Sequence, residues 1–335
     1  MSVLEALQAR AARRPAHIVL SEGEDARVAA GAAQALEAGT ARHITLLGAR
    51  DAVEAALGQA TPQQLTILDP QTAALTGDIA QAWHARRAHR GVDAALAAEQ
   101  ARDPLIFAAM MVSLGHADGT VGGAVATTSD TVRAALQAIG KAPDAGLVSS
   151  FFLMVLPEAH PSGRDAMIFS DSGLVIDPSS EELASIAAQS AASCQALLET
   201  TPKVAMLSFS TKGSARHAKV TKVVEATDLL TKAQPDLAVD GELQFDAAFV
   251  PEVAGAKAPG SPLAGAANVM IFPDLNAGNI GYKIAQRIGG CSAIGPILQG
   301  LARPANDLSR GCTAQDVMHM IAVTSLQAAA AEETP

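Results

Sequence analysis

HIVLSEGEDARVAAGAAQALEAGTARHITLL, residues 17–47, places a helical pattern between two short apolar runs. HIVL (17–20) and HITLL (43–47) carry the aliphatic and β-branched residues that pack well on a pleated surface. Between them the stretch from Asp25 to Leu36 is rich in Ala and free of Pro, and it stops near Gly39, a residue that commonly follows a helix end. Strand, helix and strand in a span of roughly 30 residues make a βαβ unit, and such a unit lays its strands parallel.

The same rhythm extends outward. Asp51 to Leu57 reads as a short helix, LTIL (65–68) as a strand, and Asp78 to about Arg90 as a helix. Gly119 to Val125 follows as a buried strand or loop that leads into a helix ending at Gly140. GLVSSFFLMVLP (146–157) and AMIFSDSGLVIDP (166–178) then break the alternation, because two apolar runs without a helix between them fit an antiparallel pair. Alternation returns with a helix from Glu181 to Leu198, strand VAMLSF (204–209), and a helix from about Arg216. It continues with strands LAVD (237–240) and NVMIF (268–272), a helix from Asn279 to Ile288, and SAIGPIL (292–298). The Gly, Pro, Asn and Asp cluster from Gly300 to Asp307 reads as a loop, and a last helix begins near Thr313. The class is therefore α/β with mostly parallel sheets. At about 150 residues per domain, 335 residues make two domains, with no internal repeat, low-complexity tract or Gly/Ser linker to tether them.

Composition narrows the function. With 24 basic and 34 acidic side chains the formal net charge is −10, the wrong sign for a phosphate backbone, and only eight Phe, one Tyr and one Trp are available for base stacking. No apolar run approaches the roughly 18–20 residues of a membrane span. The opening MSVLEALQARAARRP carries Glu5 and no signal-length apolar core, so a cytoplasmic location is expected. Cys194, Cys291 and Cys312 are scattered and lack metal-ligand spacing, and no metal is expected. GxxxxGK[ST], GxGxxG after a strand, GxSxG and HExxH are all absent, which argues against common nucleotide, hydrolase and zinc-protease sites.

Chemistry concentrates in IGPILQGLARPANDLSRGCTAQDVMHMIAV, residues 294–323. Thr313 with Asp316 three residues later reads as a capping box, which puts Ser309 and Arg310 just before a helix N-terminus. Free N–H groups and the helix dipole favour anions there, and a hydroxyl beside a guanidinium can polarise a carbonyl or hold a phosphate. Asp316 has a purely structural reading as the third residue of that box. In TTSDTVRAALQAIG (127–140) the expected N-cap is Thr128 or Ser129, so Arg133 lies in the first or second turn, where a cation gains nothing from the dipole. An anionic ligand accounts for it, and the preceding ADGTVGGAVATT lets backbone approach such a ligand closely. Arg87, in HARRAHRG, sits at a helix C-terminus, where basic residues belong for dipole reasons alone. Cys312 reads as an inert buried thiol, or as a thiol whose alkylation would block the site.

Seven blocks in order carry a resemblance that covers essentially the whole chain: VLSEGEDARV (19–28), ADGTVGGAVATTSDTVRAALQAIG (117–140), FSDSGLVIDP (169–178), LSFSTKGSA (207–215), DGELQFDAA (240–248), NVMIFPDLNAGNIGYKIAQR (268–287) and GPILQGLARPANDLSRGC (295–312). The chain resembles the phosphate acetyltransferases (phosphotransacetylases), within the phosphate acetyl/butyryl transferases. The resemblance implies two three-layer α/β domains, residues 1–142 with 297–335 and residues 143–296, with an active-site cleft between them. It implies reversible acetyl transfer between coenzyme A and phosphate, with CoA, acetyl-CoA and acetyl phosphate as substrates, no tightly bound cofactor, and a homodimer. Ser309 and Arg310 fall on the family's SRG pair, Asp316 on its aspartate base, and Arg133 and Thr128 on its TTxxTxR block. Arg87 falls on an arginine before a basic-Gly pair, here Arg90-Gly91, where HARRAHRG departs from the usual pattern. A phosphate butyryltransferase and a non-catalytic acetyl-CoA-sensing domain are the alternatives.

Overall fold

In the computed structural model, which describes residues 2–58 and 61–333, the chain forms two compact units. The first is Val3–Pro143 together with the chain from Leu301 onward, and the second is Asp144–Gly300. The expected boundary between 296 and 297 falls inside a strand, because Ile297, Leu298 and Gln299 still pair with Phe151, Ser150 and Ser149.

The first unit runs α1 (Val3–Ala11), β1 (Ala16–Leu20), α2 (Ala26–Glu37), β2 (Ala41–Leu47), α3 (Arg50–Leu57), β3 (Leu65–Leu68), α4 (Thr76–Arg87) and a 3₁₀ turn (Ala88–Arg90). It continues with α5 (Ala94–Gln100), α6 (Pro104–Ser113), β4 (Gly119–Gly122) and α7 (Thr128–Ala138). The second unit carries β5 (Ser149–Val155), β6 (Ala166–Ser170), α8 (Ser180–Leu198), β7 (Lys203–Leu207), α9 (Ala218–Ala233) and β8 (Ala238–Leu243). It ends with α10 (Phe245–Phe249), α11 (Pro251–Lys257), β9 (Val269–Ile271), α12 (Leu275–Arg287) and β10 (Ser292–Gln299). The chain then returns to the first unit for β11 (Ala305–Asp307) and α13 (Ala314–Glu333). Among the described residues no helix is long and apolar enough to cross a membrane.

The opening βαβ stretch folds as its sequence dictates. Asp25 caps α2 by accepting the Arg27 N–H at 2.9 Å, and β1 pairs with β2 in parallel. In the first sheet the order is β11-β4-β1-β2-β3, every pair parallel. Val19 and Leu47 face a core built with Trp83, Phe107, Met110 and Ala135 from α4, α6 and α7. Alternation sends Ile18, Leu20, Ile44 and Leu46 to the opposite face, where α2 and α13 pack. Gly31 makes the α2–α13 approach possible, since a Cβ there would lie 2.6 Å from the Ala314 carbonyl oxygen and from Val317 Cβ.

The second sheet has order β10-β5-β6-β9-β7-β8. Its β10–β5–β6 edge is antiparallel, as the broken alternation implied, and β6, β9, β7 and β8 are parallel. Phe152, Phe169, Leu207, Met270 and Phe272 build a core on one face, where Tyr282 of α12 stacks on Phe152 with ring centroids 3.9 Å apart.

Two further sequence expectations change. The segment expected as loop from Gly300 to Asp307 contains β11, which extends the first sheet beside β4; its buried Asn306 and Asp307 gave no apolar signal. The cap of α7 is Thr127 rather than Thr128 or Ser129, because the Thr127 hydroxyl accepts the Asp130 N–H at 3.1 Å while Thr128 is already helical.

Candidate active site

In the first unit the chain steps from β1 outward through β2 and β3, then crosses to the other side of β1 as β4 and later β11. Where strand order reverses in an open parallel sheet, the loops leaving neighbouring strands diverge and open a crevice at their carboxyl ends. Three loops meet that description here: residues 21–25 after β1, 123–127 after β4 and 308–313 after β11. Six candidate residues came from the sequence, and five of them stand on the last two loops or on the helices they start.

Ser309 and Arg310 are exposed on the 308–313 loop, which leaves the sheet with the Leu308 N–H donating to the Gly122 carbonyl at 2.7 Å. Among the described residues the Ser309 Oγ accepts only the Gly311 N–H, at 3.3 Å, which leaves its own proton available to a ligand. Arg310 reaches toward the other loop, its Nε 3.5 Å from the Ala126 carbonyl oxygen. Arg133 is exposed on α7, with Nη1 2.7 Å from Asp130 Oδ1 and Nη2 3.1 Å from Ser129 Oγ. The acid that makes a cation tolerable near this helix start is therefore three residues away on the same helix. Asp130 is held below the usual carboxylate range first by the Thr127 hydroxyl, then by Arg133, with Arg310 adding its field. Both arginines thus act on one carboxylate.

Thr128 points its hydroxyl inward, donating to Asp307 Oδ2 at 2.6 Å. Asp316 closes the capping box expected of it: its Oδ2 accepts the Thr313 N–H at 2.8 Å and the Thr313 hydroxyl at 2.9 Å, and its own N–H donates back to Thr313 Oγ1 at 3.2 Å. Oδ1 takes no part in that box. Arg87 ends α4 with its guanidinium 5.7 Å from the Trp83 ring centroid and a buried Nε that has no hydrogen-bond partner among the described residues. No hydrogen bond or ion pair among the described residues joins it to the other five. Cys312 is buried, and burial raises its thiol pKa above the ordinary value. Among the described residues no group of three His, Cys, Asp or Glu side chains could hold a metal ion.

Three residues that sequence patterns did not single out organise the loops. Glu22 accepts the N–H groups of Ala124, Val125 and Ala126 at 2.7, 3.0 and 2.7 Å. The glycine-led loop is therefore not an open anion cradle, because the protein fills it with its own carboxylate. Arg27 donates to the carbonyls of Ala124, Arg310 and Cys312 at 2.9, 2.6 and 3.2 Å. Asp307 is fully buried, and its Oδ1 has no hydrogen-bond partner among the described residues. Gly123, at φ +97°, is required beside it, since a Cβ there would lie 2.0 Å from that oxygen. Burial pushes Asp307 up to about 6; Thr128, Thr131 and Arg310 oppose the shift and Glu22 adds to it. The only sequence signal for Glu22 and Arg27 was the SEGEDAR run itself, whose charges fall outside any apolar periodicity.

Exposed guanidinium groups near two helix starts, with the Ser309 hydroxyl on the loop that carries one of them, suit an anionic acyl donor. Comparison with known proteins gives that chemistry a family. The phosphate acetyltransferase of Paracoccus denitrificans is 51% identical over 327 residues, covering 98% of this chain and 99% of that protein. The phosphate acetyltransferase of Thermoanaerobacterium thermosaccharolyticum is 45% identical, covering 98% of this chain and all of that protein. The crystal structure of a phosphotransacetylase from Streptococcus pyogenes superposes with a TM-score of 0.91 at 43% identity, covering 98% of each chain. The family described as phosphate acetyl/butaryl transferase matches residues 2–325, and the chain belongs to it.

Proposed function

We propose that the chain catalyses acetyl-CoA + phosphate ⇌ CoA + acetyl phosphate by direct transfer, without an acyl-enzyme. The observation that carries this reading beyond family membership is the placing of Ser309, Arg310 and Arg133 at one sheet edge, with the Ser309 proton unspent. In the thioester-forming direction Asp316 takes the proton of the CoA thiol. A free thiol has a pKa of about 8.5 and is mostly protonated at neutral pH, so a base aimed at it is useful. The thiolate sulfur attacks the carbonyl carbon of acetyl phosphate, and charge develops on the carbonyl oxygen. Ser309 donates its hydroxyl to that oxygen. Collapse breaks the bond from carbon to the bridging oxygen, and phosphate leaves with the electron pair. Arg310 and Arg133 bind the phosphate and the anionic end of CoA, Arg87 serves as a further CoA contact, and Thr128 supports them from α7. A cytoplasmic homodimer is part of the reading.

Thioester formation from CoA and acetyl phosphate tests the reading directly, with butyryl phosphate run alongside to set acyl length. Ser309→Ala should lower kcat by about 10²- to 10³-fold, as loss of an oxyanion donor does elsewhere. Asp316→Asn should lower it by about 10²-fold or more with little change in KM. Full turnover by Asp316→Asn across the pH range would remove the general base from this scheme.

A further inference from the structure

Arg27 has five N–H donors, and all five are used. Nε and Nη2 grip Asp25 at 3.0 and 2.8 Å, a bidentate pair that fixes the plane of the guanidinium at the N-cap of α2. The other Nη2 proton goes to the Ala124 carbonyl, and the two Nη1 protons go to the carbonyls of Arg310 and Cys312. An arginine with no donor left cannot clamp a phosphate. Its acceptors show what it does instead: one carbonyl lies on the loop after β4 and two flank Gly311 on the loop after β11, the Arg310 carbonyl being 283 positions away in sequence.

Carbonyl oxygens carry the negative end of the peptide dipole, so a loop that presents an anion site must turn them away from the ligand. Arg27 draws three of them onto its guanidinium. Glu22, five residues earlier in the turn after β1, draws the N–H groups of Ala124, Val125 and Ala126 onto its carboxylate. The chain from Glu22 to Arg27, the turn after β1 and the start of α2, thus holds both loops through two charged side chains of opposite sign.

We infer that Arg27 is a positioning residue for acyl transfer: it touches no substrate and sets the backbone that aims Ser309 and Arg310. The inference rests on the proposed function for the word transfer, and on geometry alone for the tie between the loops. Lysine is a poor substitute, because three protons on one nitrogen cannot span acceptors spread around a planar fork.

The test compares the wild-type protein with Arg27→Ala, Arg27→Lys and Glu22→Gln, reading kcat, both KM values and amide hydrogen exchange. In Arg27→Ala, kcat should fall by about 10²-fold, the scale of a small misplacement of reacting groups, while each KM stays within about threefold. Guanidinium ion added at low millimolar concentration should restore part of that kcat, and Arg27→Lys should fall between wild type and Arg27→Ala. Exchange should quicken in residues 123–127 and 308–313 together in both Arg27 variants, but only in 123–127 in Glu22→Gln. A kcat within twofold of wild type in Arg27→Ala overturns the inference, and so do wild-type exchange rates in both loops. If the wild-type protein makes no thioester, the functional reading fails, while the exchange pattern still decides whether Arg27 ties the two loops. Should Arg27→Ala not fold, Arg27→Lys and Glu22→Gln carry the same comparison.

Discussion

Asp171 and Asp307 each close the carboxyl end of a buried strand, one in each unit, and burial pushes both carboxyls upward. Their surroundings then diverge. Asp171 accepts four donors: the Ser150 N–H at 2.8 Å, the Ser150 hydroxyl at 2.9 Å, and the N–H groups of Gly173 and Leu174 at 2.7 and 2.8 Å. Among the described residues Asp307 takes the Thr128 hydroxyl on one oxygen and leaves the other buried without a hydrogen bond, with the Thr131 hydroxyl and the Glu22 carboxylate nearby. A fold that can complete the shell around one buried carboxylate has left the other short, directly beneath the loop that carries Ser309 and Arg310. Unsatisfied buried polar groups are rare in native proteins and gather at functional sites. Asp171 is a structural knot, and Asp307 is a group under electrostatic stress.

The largest effect expected of this contrast is in Asp171→Ala, which strands the buried Ser150 N–H and the half-buried N–H groups of Gly173 and Leu174. A buried unsatisfied group costs about 1–3 kcal/mol and a half-buried one less, so denaturant titration should show a loss of roughly 3 kcal/mol or more. A loss under about 1 kcal/mol would mean that the shell around Asp171 contributes little.

Asp307→Asn should act in the opposite direction at neutral pH. The folded-state pKa of Asp307, about 6, lies above its ordinary 3.8. Its contribution to stability is therefore fully present below pH 3.8 and is lost as pH rises through about 6. At 1.36 kcal/mol per pKa unit the loss reaches roughly 3 kcal/mol by pH 7.5, and asparagine does not incur it. Stability curves of variant and wild type should converge near pH 4 and separate toward pH 7.5, the variant above. A difference that stays constant across this range would show that the carboxyl is not under stress.

Thr128→Val sharpens the contrast at smaller scale. It removes the one hydroxyl on Asp307 Oδ2 and should cost about 1–3 kcal/mol at pH 7.5, where the group is ionised. The cost should shrink near pH 5, where Asp307 holds its proton. Equal losses at both pH values would assign the effect to packing instead.

Much of this architecture was readable from residues 17–47, because Asp25, the Ala-rich stretch and the two aliphatic runs each obey a local rule. The antiparallel edge announced itself by the missing helix between 157 and 166. What stayed hidden has physical reasons. Helix α6 buries Phe107 through Val112 without interruption, so it has no amphipathic period to detect. Strand β11 is three residues long and contains Asn306, whose amide is paid for by the Thr324 hydroxyl at 2.9 Å and Gln327 Oε1 at 2.7 Å, partners far off in sequence. Arg133 stood out because a cation near a helix start breaks a dipole rule, and Ser309 and Arg310 because they lie just before a helix start, where anions are favoured. Arg27 breaks the same rule at the second position of α2, but Asp25 two residues before it pairs its charge, and the loop partners of Glu22 and Arg27 lie about 100 and up to 285 positions away.

Strand β11 has one more consequence, and it concerns biosynthesis. A ribosome makes β1 through α7 first, then the whole of Asp144–Gly300, and only afterwards the segment that supplies β11 and α13. Until then β4 is an open sheet edge, and the side of α2 around Gly31 that will receive α13 faces water. The nascent chain therefore carries an unpaired edge through the synthesis of an entire second unit, the kind of exposure that invites aggregation and chaperone binding. The loop that carries Ser309 and Arg310 arrives with the strand that closes that edge, so a chain truncated before Ala305 would lack both that loop and the cover for its open edge.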